Sequence, residues 1–399
     1  MSASSIGILS TYPPTQCGLA TFTSALAESL SVGDDTTHAV ADSAWESKRR
    51  EPSVGIVAVV DSVDSDSALP EVEHHWVRSA SRGALTAAAA LNRHDVAIVQ
   101  HEYGIFSGRD GVDVLEAVRA LRVPAIVVLH TVLVGPTPHQ RTILEELVRM
   151  SAAVVTMTHT ARQRLLEHYA VEPTKIKVIP HGAADNRSGN HDDLHQPITR
   201  TPVILTWGLL GEGKGIEWAI DAMAQIKDLR PAAQYRVVGQ THPRVLERNG
   251  EAYRTSLVER ARDLGVSNSV HFDARYLGRT ELHRLVRQAD VVLLPYDSRE
   301  QVTSGVLIEA VAAGKPVIST AFPHAQELLA SGAGILVERQ DPTAIANALR
   351  RVFSEPGLAE RMGAEASRIA PELLWPAVGR QYREIAQDLL RADTTLATA

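Results

Sequence analysis

The chain has 399 residues, 44% hydrophobic and 22% charged, with a formal net charge of −7. That balance describes a globular chain of two domains, or three, with ample core. Without a compensating basic tract it argues against a general nucleic-acid binder; the densest cationic run, Lys48-Arg49-Arg50, reads as a solvated loop. The single cysteine, Cys17, excludes an intrachain disulfide and a cysteine-based metal site, and fits a reducing, cytoplasmic setting. Met1–Ser10 lacks the charged head and long apolar segment of a signal peptide. The longest apolar runs, such as Ala125–Leu129 and Val291–Leu294, are strand-sized, so no transmembrane segment is expected. Peripheral membrane contact stays open.

In chain order, short apolar runs predict strands at Ile6–Leu9, Gly55–Val60, Val96–Gln100, Ala125–His130, Ala153–Met157 and Lys177–Ile179. Amphipathic stretches between them predict helices at Thr21–Leu30, Arg82–Leu91, Val112–Leu121, His139–Arg149 and Ala161–Tyr169. Asp185–Pro202 is polar, holds two prolines and has no apolar period, and reads as a linker. The alternation then restarts with strands at Val203–Trp207, Tyr235–Val238, Ser269–Phe272, Val291–Pro295, Pro316–Thr320 and Gly334–Val337. Helices are expected at Ile216–Leu229, Glu251–Leu264, Thr280–Gln288, Val306–Ala313 and Thr343–Phe353, the last with Asp341 as N-cap and Pro342 at the first helical position. A terminal amphipathic helix covers about Trp375–Leu390. Continuous Val/Ile/Ala strands alternating with helices imply two doubly wound α/β domains with parallel sheets. Ligands of such sheets sit at the carboxyl ends of the strands, so a cleft between the domains is the expected site.

The turns at those ends carry the chemistry. After the first strand, Thr11–Gly18 is not GxGxxG, so the dinucleotide fingerprint is missing, yet Gly18 at a helix entrance would let backbone approach an anion; a plain turn is the alternative. After Val203–Trp207, "GLLGEGKG" (Gly208–Gly215) lacks the Walker spacing and its Ser/Thr, but Lys214 beside glycines suits a phosphate as a point charge. As an exposed turn residue, Lys214 is expected to matter little for stability. After Val291–Pro295, Thr303-Ser304-Gly305 opens a helix whose first N–H groups are unsatisfied, and Glu309 lies about one turn further in, where a carboxylate can bond a ribose diol or simply cap and salt-bridge.

Three segments, "YDSREQVTSGVLIEAVAAGKPVIST", "WGLLGEGKGIEWAIDAM" and "VIPHGAAD", resemble glycosyltransferase family 4, the large retaining family with the GT-B fold. The resemblance covers nearly the whole chain. It implies two Rossmann-like domains facing a central cleft: an acceptor-binding domain at 1–185, a linker at 186–202, a nucleotide-sugar domain at 203–374, and a closing helix, 375–399, that returns to the first domain. By this resemblance Glu309 matches the second glutamate of an E-x7-E motif, the one bonding the donor ribose. Ser304 and Gly305 fall where backbone amides meet the donor diphosphate, Lys214 matches the lysine that neutralises it, Gly18 matches the glycine-loop residue facing the same phosphates, and Gly208, Arg275, Thr303 and Val306 are counted with the donor-binding residues. His130 matches the histidine near the transferred sugar.

Two departures stand out. The first motif glutamate should be at position 301, where this chain has Gln301, with Glu300 adjacent. The arginine of an Arg-x4-Lys pair should be at position 209, which is Leu209; Arg275 and Arg299 are candidate replacements. On the acceptor side, His101, Glu102, Tyr103 and Arg109 in "VQHEYGIFSGRDG" are expected to face the cleft, and His181 and Gly182 to line the hinge. Base recognition is expected around Val238–His242 and Arg275–Leu277.

The expected function is metal-independent, retaining transfer of a sugar from a nucleotide-diphosphate-sugar donor, of GDP-mannose or UDP-glucose type, to a saccharide or related hydroxyl acceptor. No resident cofactor is expected, the nucleotide-sugar being a co-substrate. Asp64-Ser65-Asp66 spells D-x-D, but in an Asp/Ser-rich loop where a metal role is the weaker reading. The alternatives are a sugar-nucleotide epimerase or a non-catalytic nucleotide-sugar binding protein on the same fold. A pyridoxal-phosphate phosphorylase would need a Schiff-base lysine in the second half, where Lys214 and Lys315 both sit in tight turns.

Overall fold

The structure is a computed structural model, and it describes residues 5–32, 53–63, 69–187 and 201–397. Lys48-Arg49-Arg50, Asp64-Ser65-Asp66 and most of the expected linker lie outside the described residues. The chain divides into two compact units: Met1–Gly182 with Trp375–Ala399, and Ala183–Leu374.

The first unit is a parallel sheet of seven strands. They are β1 (Ile6–Ser10), β2 (Val54–Val60), β3 (Val72–Val77), β4 (Val96–His101), β5 (Ala125–Leu129), β6 (Ala153–Thr156) and β7 (Ile176–Val178). Their order is β3-β2-β1-β4-β5-β6-β7. Its helices are α1 (Gly18–Ser31), α2 (Gly83–Leu91), α3 (Val114–Arg119), α4 (Pro138–Met150) and α5 (His159–His168). The strands read as unbroken apolar runs because both faces of a parallel sheet are covered; β1, β4, β5 and β6 are buried at every position.

The second unit has six parallel strands: β8 (Val203–Trp207), β9 (Gln234–Val238), β10 (Val270–Asp273), β11 (Val291–Leu294), β12 (Val317–Thr320) and β13 (Gly334–Val337). Their order is β10-β9-β8-β11-β12-β13. The helices are α6 (Ile216–Gln225), α7 (Pro243–Asn249), α8 (Ala252–Asp263), α9 (Arg279–Gln288), α10 (Gly305–Ala312), α11 (Pro323–Leu329), α12 (Pro342–Ser354) and α13 (Leu358–Leu373). Alternate residues go to opposite faces. Ile204, Tyr235 and Leu293 join Ile216, Ile220 and Leu349 on one side. Leu205, Val292 and Leu294 join Leu307, Val311 and Phe322 on the other. Each such side chain taken fully out of water contributes about 1.5–3 kcal/mol. At α12 the Asp341 side chain accepts the Ala344 N–H at 2.9 Å and Pro342 follows it, the N-terminus the residues predict.

The terminal helix α14 (Trp375–Ala397) belongs to the first unit. Val378, Tyr382 and Ala386 join Phe22, Leu26 and Leu30 of α1 in one core. Ser29 donates its hydroxyl to the Trp375 carbonyl at 2.7 Å, and Arg383 donates to the Ser29 carbonyl at 2.8 Å. Gly379 is required there, since a Cβ would lie 2.2 Å from Ser29 Oγ. Asn186, expected in the linker, is buried and bridges two groups of α9: it donates to the His283 carbonyl at 3.0 Å and accepts from Arg287 at 2.6 Å. No described helix is long and apolar enough to cross a membrane.

Candidate functional site

In the second unit β8 and β11 are neighbours, and the connections that leave them run to opposite sides of the sheet. Such a reversal opens a crevice at the carboxyl ends, the standard ligand position of a doubly wound sheet. The two loops that rim it are 208–215, after β8, and 295–304, after β11. They are joined tightly. The Asp297 N–H donates to the Gly213 carbonyl at 2.9 Å, and Trp218 Nε1 donates to Asp297 Oδ2 at 3.2 Å. Gly215 has φ +63, and a Cβ there would stand 1.8 Å from the Pro295 carbonyl oxygen, so only glycine permits the approach. Gly208 follows β8 and lies beside Val306, whose Cγ2 would be 3.6 Å from a Cβ at that glycine.

Lys214 stands between these loops with its ammonium 4.3 Å from the centre of the Tyr296 ring, a cation–π contact. The expectation of an exposed turn lysine is corrected: Lys214 is half-buried. Desolvation lowers its pKa, and no ion pair among the described residues offsets that cost. His242, after β9, also feels the Lys214 charge; burial first, then Arg244 and Lys214, depress its pKa.

The start of α10 supplies the complementary donors. Ser304 is its N-cap, and its hydroxyl accepts the Leu307 N–H at 3.3 Å. The Ser304 amide was expected to meet a diphosphate, but it donates to His324 Nδ1 at 2.8 Å. That leaves the N–H groups of Gly305 and Val306 without a partner among the described residues, at the positive end of the helix. Thr303 Oγ1, the Tyr296 hydroxyl and Asp297 Oδ1 are buried in the same loop with no hydrogen-bond partner among the described residues.

Glu309 is on the second turn of α10. Trp207 Nε1, at the end of β8, donates to its Oε2 at 3.3 Å. Desolvation raises the Glu309 pKa to about 7, against the Trp207 hydrogen bond and the Arg279 charge, which pull it down. Gln301 folds into its own loop, donating from Nε2 to the Thr303 carbonyl at 3.0 Å while its N–H donates to Ser298 Oγ at 3.1 Å. Glu300 and Arg299 are exposed. Arg275 is exposed and its guanidinium is shared by Asp273 at 2.6 Å and Glu281 at 3.0 Å, so its charge is already matched. Arg254, which lies in none of the sequence motifs, is mostly buried and donates to the Gly239 carbonyl at 2.7 Å, with Nη1 unpaired among the described residues.

In the first unit, His130, just after β5, and His181, after β7, both pack on Phe22 of α1. His130 Nε2 lies 2.6 Å from Gln100 Oε1, and its ring meets Phe22 edge-on at 5.0 Å. His181 meets Phe22 at 4.9 Å and Trp375 at 6.0 Å. Burial holds His130 down to about 3 and His101 and His181 to about 4, so all three are neutral at pH 7. Gly18 is the first residue of α1, capped by Cys17 Sγ, and nothing lies within 4 Å of where its Cβ would be.

The expected acceptor set is corrected by burial. His101 is fully buried and Tyr103 nearly so, with the Tyr103 hydroxyl donating to the Gln140 carbonyl at 3.4 Å. Glu102 accepts the Tyr103 N–H at 3.0 Å and the Thr131 hydroxyl. Of the four, Arg109 is the exposed one, 3.7 Å from Asp110. Asp110 has φ +53 and pairs with His139 Nδ1 at 2.9 Å. This pair carried no sequence signal, because its members are 29 residues apart.

A parallel sheet of this order, with a lysine and open helix amides at the switch point, defines a doubly wound α/β unit of the kind whose ligands sit at the carboxyl ends of the strands. Residues 191–368 match the family described as glycosyl transferases group 1, and residues 18–187 match glycosyltransferase family 4. The chain belongs to glycosyltransferase family 4. Curated relatives named D-inositol 3-phosphate glycosyltransferase include one from Corynebacterium kroppenstedtii, 29% identical over 64% of this chain and 58% of its own length. Another, from Streptomyces scabiei, is 30% identical over 63% of this chain and 57% of its own. The matched stretch thus spans about three fifths of those relatives. Among solved structures, Anabaena HepE in complex with UDP aligns at 19% identity and TM-score 0.71, covering 97% of this chain and all 100% of its own. Sucrose-phosphate synthase from Thermosynechococcus elongatus aligns at 18% and TM-score 0.71, covering 98% and 100%.

Proposed function

We propose that the protein is a retaining, metal-independent hexosyltransferase. It moves a sugar from a nucleotide-diphosphate-sugar, of UDP-glucose or GDP-mannose type, to a saccharide or related hydroxyl acceptor. The observations that carry this are a half-buried Lys214 without an ion pair in the loop after β8, the open Gly305 and Val306 amides at the start of α10, and a desolvated Glu309 on the next turn. As the glycosidic bond breaks, negative charge grows on the leaving diphosphate, and the lysine, the amides and the α10 dipole are positioned to receive it. Such preorganised donors commonly contribute about 3–4 kcal/mol each. Because these groups neutralise the leaving group, the reaction as proposed needs no divalent ion. Glu309 accepts from the donor ribose. The second unit holds the donor, and the first, with His130 near the transferred sugar, holds the acceptor.

The names of the curated relatives favour a phosphorylated polyol as one acceptor to try, and the UDP complex of the Anabaena protein favours UDP-sugars as a first donor. The test measures release of free nucleoside diphosphate from UDP-glucose and GDP-mannose, with and without inositol phosphate or sugar acceptors, in EDTA. Acceptor-dependent release with the anomeric configuration kept supports the reading. Donor conversion without acceptor would favour an epimerase, and binding without turnover a sensor.

A further inference from the structure

The loop that carries the open amides does not hold itself. It is gripped by the neighbouring segment, from the end of β12 to the start of α11. The Thr320 hydroxyl donates to the Tyr296 carbonyl at 2.6 Å. Phe322 stacks on the Tyr296 ring at 5.6 Å, with 20° between planes, and that same ring carries the Lys214 ammonium. The His324 N–H donates to the Gln301 carbonyl at 3.3 Å. Last, His324 Nδ1 accepts the Ser304 N–H at 2.8 Å. Both residues of this final contact are buried, His324 to 2% and Ser304 to 4% exposure. Gln301 and Ser304 are thus tied to one histidine, by its backbone and by its ring.

The consequence lies at the first turn of α10. An N-cap residue sets the direction in which the next amides point. With the Ser304 amide held by His324 and the Ser304 hydroxyl holding Leu307, the Gly305 and Val306 N–H groups between them have one orientation. Resting on the donor-site reading above, we propose that His324 is a positioning residue for the diphosphate: its Nδ1 holds the Ser304 amide and thereby aims the Gly305 and Val306 amides. His324 itself touches no phosphate. The bond requires a lone pair on Nδ1, which an asparagine Oδ1 can supply from nearly the same place and a leucine cannot.

The experiment compares the wild-type chain with His324→Asn and His324→Leu. Amide hydrogen exchange across residues 301–307 is read without ligand, and binding of UDP and GDP is read beside that of uridine and guanosine. Protection of the Ser304 amide is expected in the wild type and in His324→Asn, and lost in His324→Leu. Loss of one buried hydrogen-bond partner is expected to weaken diphosphate binding about tenfold in His324→Leu. Nucleoside affinity should move little, and His324→Asn should restore diphosphate binding. Equal weakening toward nucleoside and diphosphate would show general loosening of the unit and overturn the proposal. So would full Ser304 protection, or unchanged diphosphate affinity, in His324→Leu. A wild type that binds neither diphosphate overturns the donor-site reading and this proposal with it. That result is distinct from failure of the proposal alone, where wild type and His324→Leu bind equally.

Discussion

Glu309 offers the sharpest quantitative test, because its environment ties stability and ligand binding to one titration. Its carboxyl is pushed from an ordinary 4.5 up to about 7. At 1.36 kcal/mol per pH unit the rise corresponds to about 3 kcal/mol as a ceiling, and the solvent contact that Glu309 keeps reduces it to about 2–3 kcal/mol. The sign follows from linkage. Between pH 4.5 and 7 the folded state binds the proton more strongly than the unfolded chain, so stability falls as pH rises through that window. Above the folded pKa the whole penalty is present. Glu309→Gln removes the titration while keeping the shape. Its advantage over wild type should therefore be small at pH 4.5 and grow until it levels off above pH 7. For a unit of this size that is about 5–10 °C in melting temperature.

Nucleotide binding should move the opposite way. If ribose hydroxyls donate to the ionised carboxylate, a donor binds the deprotonated form. Affinity for a nucleotide-sugar, whose diphosphate does not titrate here, should rise about tenfold from pH 6 to pH 8 in the wild type. In Glu309→Gln it should be weaker and flat. Thermal unfolding at half-unit pH steps and calorimetric titration with UDP-glucose or GDP-mannose read both effects. A melting-temperature difference independent of pH would refute the desolvated carboxyl. Equal, pH-independent donor affinity in both proteins would refute its contact with the donor.

Trp207→Phe removes the hydrogen bond that holds the Glu309 pKa down, so the pH midpoint of donor binding should move upward; an unchanged midpoint would show that the indole only fills space. Lys214→Ala should lower turnover by about 10²-fold, corresponding to the loss of one preorganised donor, and near-native turnover in steady-state assays would exclude Lys214 from the leaving-group site. Gly215→Ala places a methyl against the Pro295 carbonyl at φ +63 and should destabilise by more than about 1 kcal/mol, seen as a drop in melting temperature. Arg275→Ala should change donor affinity less than threefold in a competition assay, because Asp273 and Glu281 already share its charge.

What the residues announce in advance is what repeats. Strands such as Val96–His101 and Val291–Leu294 are legible because a doubly covered strand must be apolar throughout. The strand Val72–Val77 escapes that rule: it is an edge strand reading VEHHWV, with Trp76 as its one buried residue. Helix α13 is hidden by Gly363 and Pro371, which read as breakers. Gly363 is there because a Cβ would lie 3.0 Å from the Gly314 carbonyl, where α13 packs against the α10 end. The turns that follow β8 and β11 are legible through their glycines and Lys214. Their supports are not: His324 lies 20 residues from Ser304, and Trp207 lies 102 from Glu309. The acceptor-side residues misled for the opposite reason. His101 and Tyr103 are polar types at a strand end, but the chain turns both inward, and residue type alone does not fix that direction.

The arginine expected at position 209 and absent there bears on how the remaining lysine works. A second cation beside Lys214 would add attraction for a diphosphate, and it would also repel the lysine. Here, on the proposed reading, the donor diphosphate would face one desolvated ammonium beside the Tyr296 ring and two amides whose dipoles carry no net charge. The ammonium is therefore costly in isolation, and the cost is relieved in proportion to the negative charge placed before it. That charge is larger on a departing diphosphate than on an intact nucleotide-sugar. Interactions that strengthen as the bond breaks lower the barrier, whereas those equally strong beforehand only tighten binding. On the proposed donor-site reading, a single half-buried lysine set against neutral donors favours the transition state over the bound donor, and Leu209 is then compatible with turnover rather than a mark of its loss.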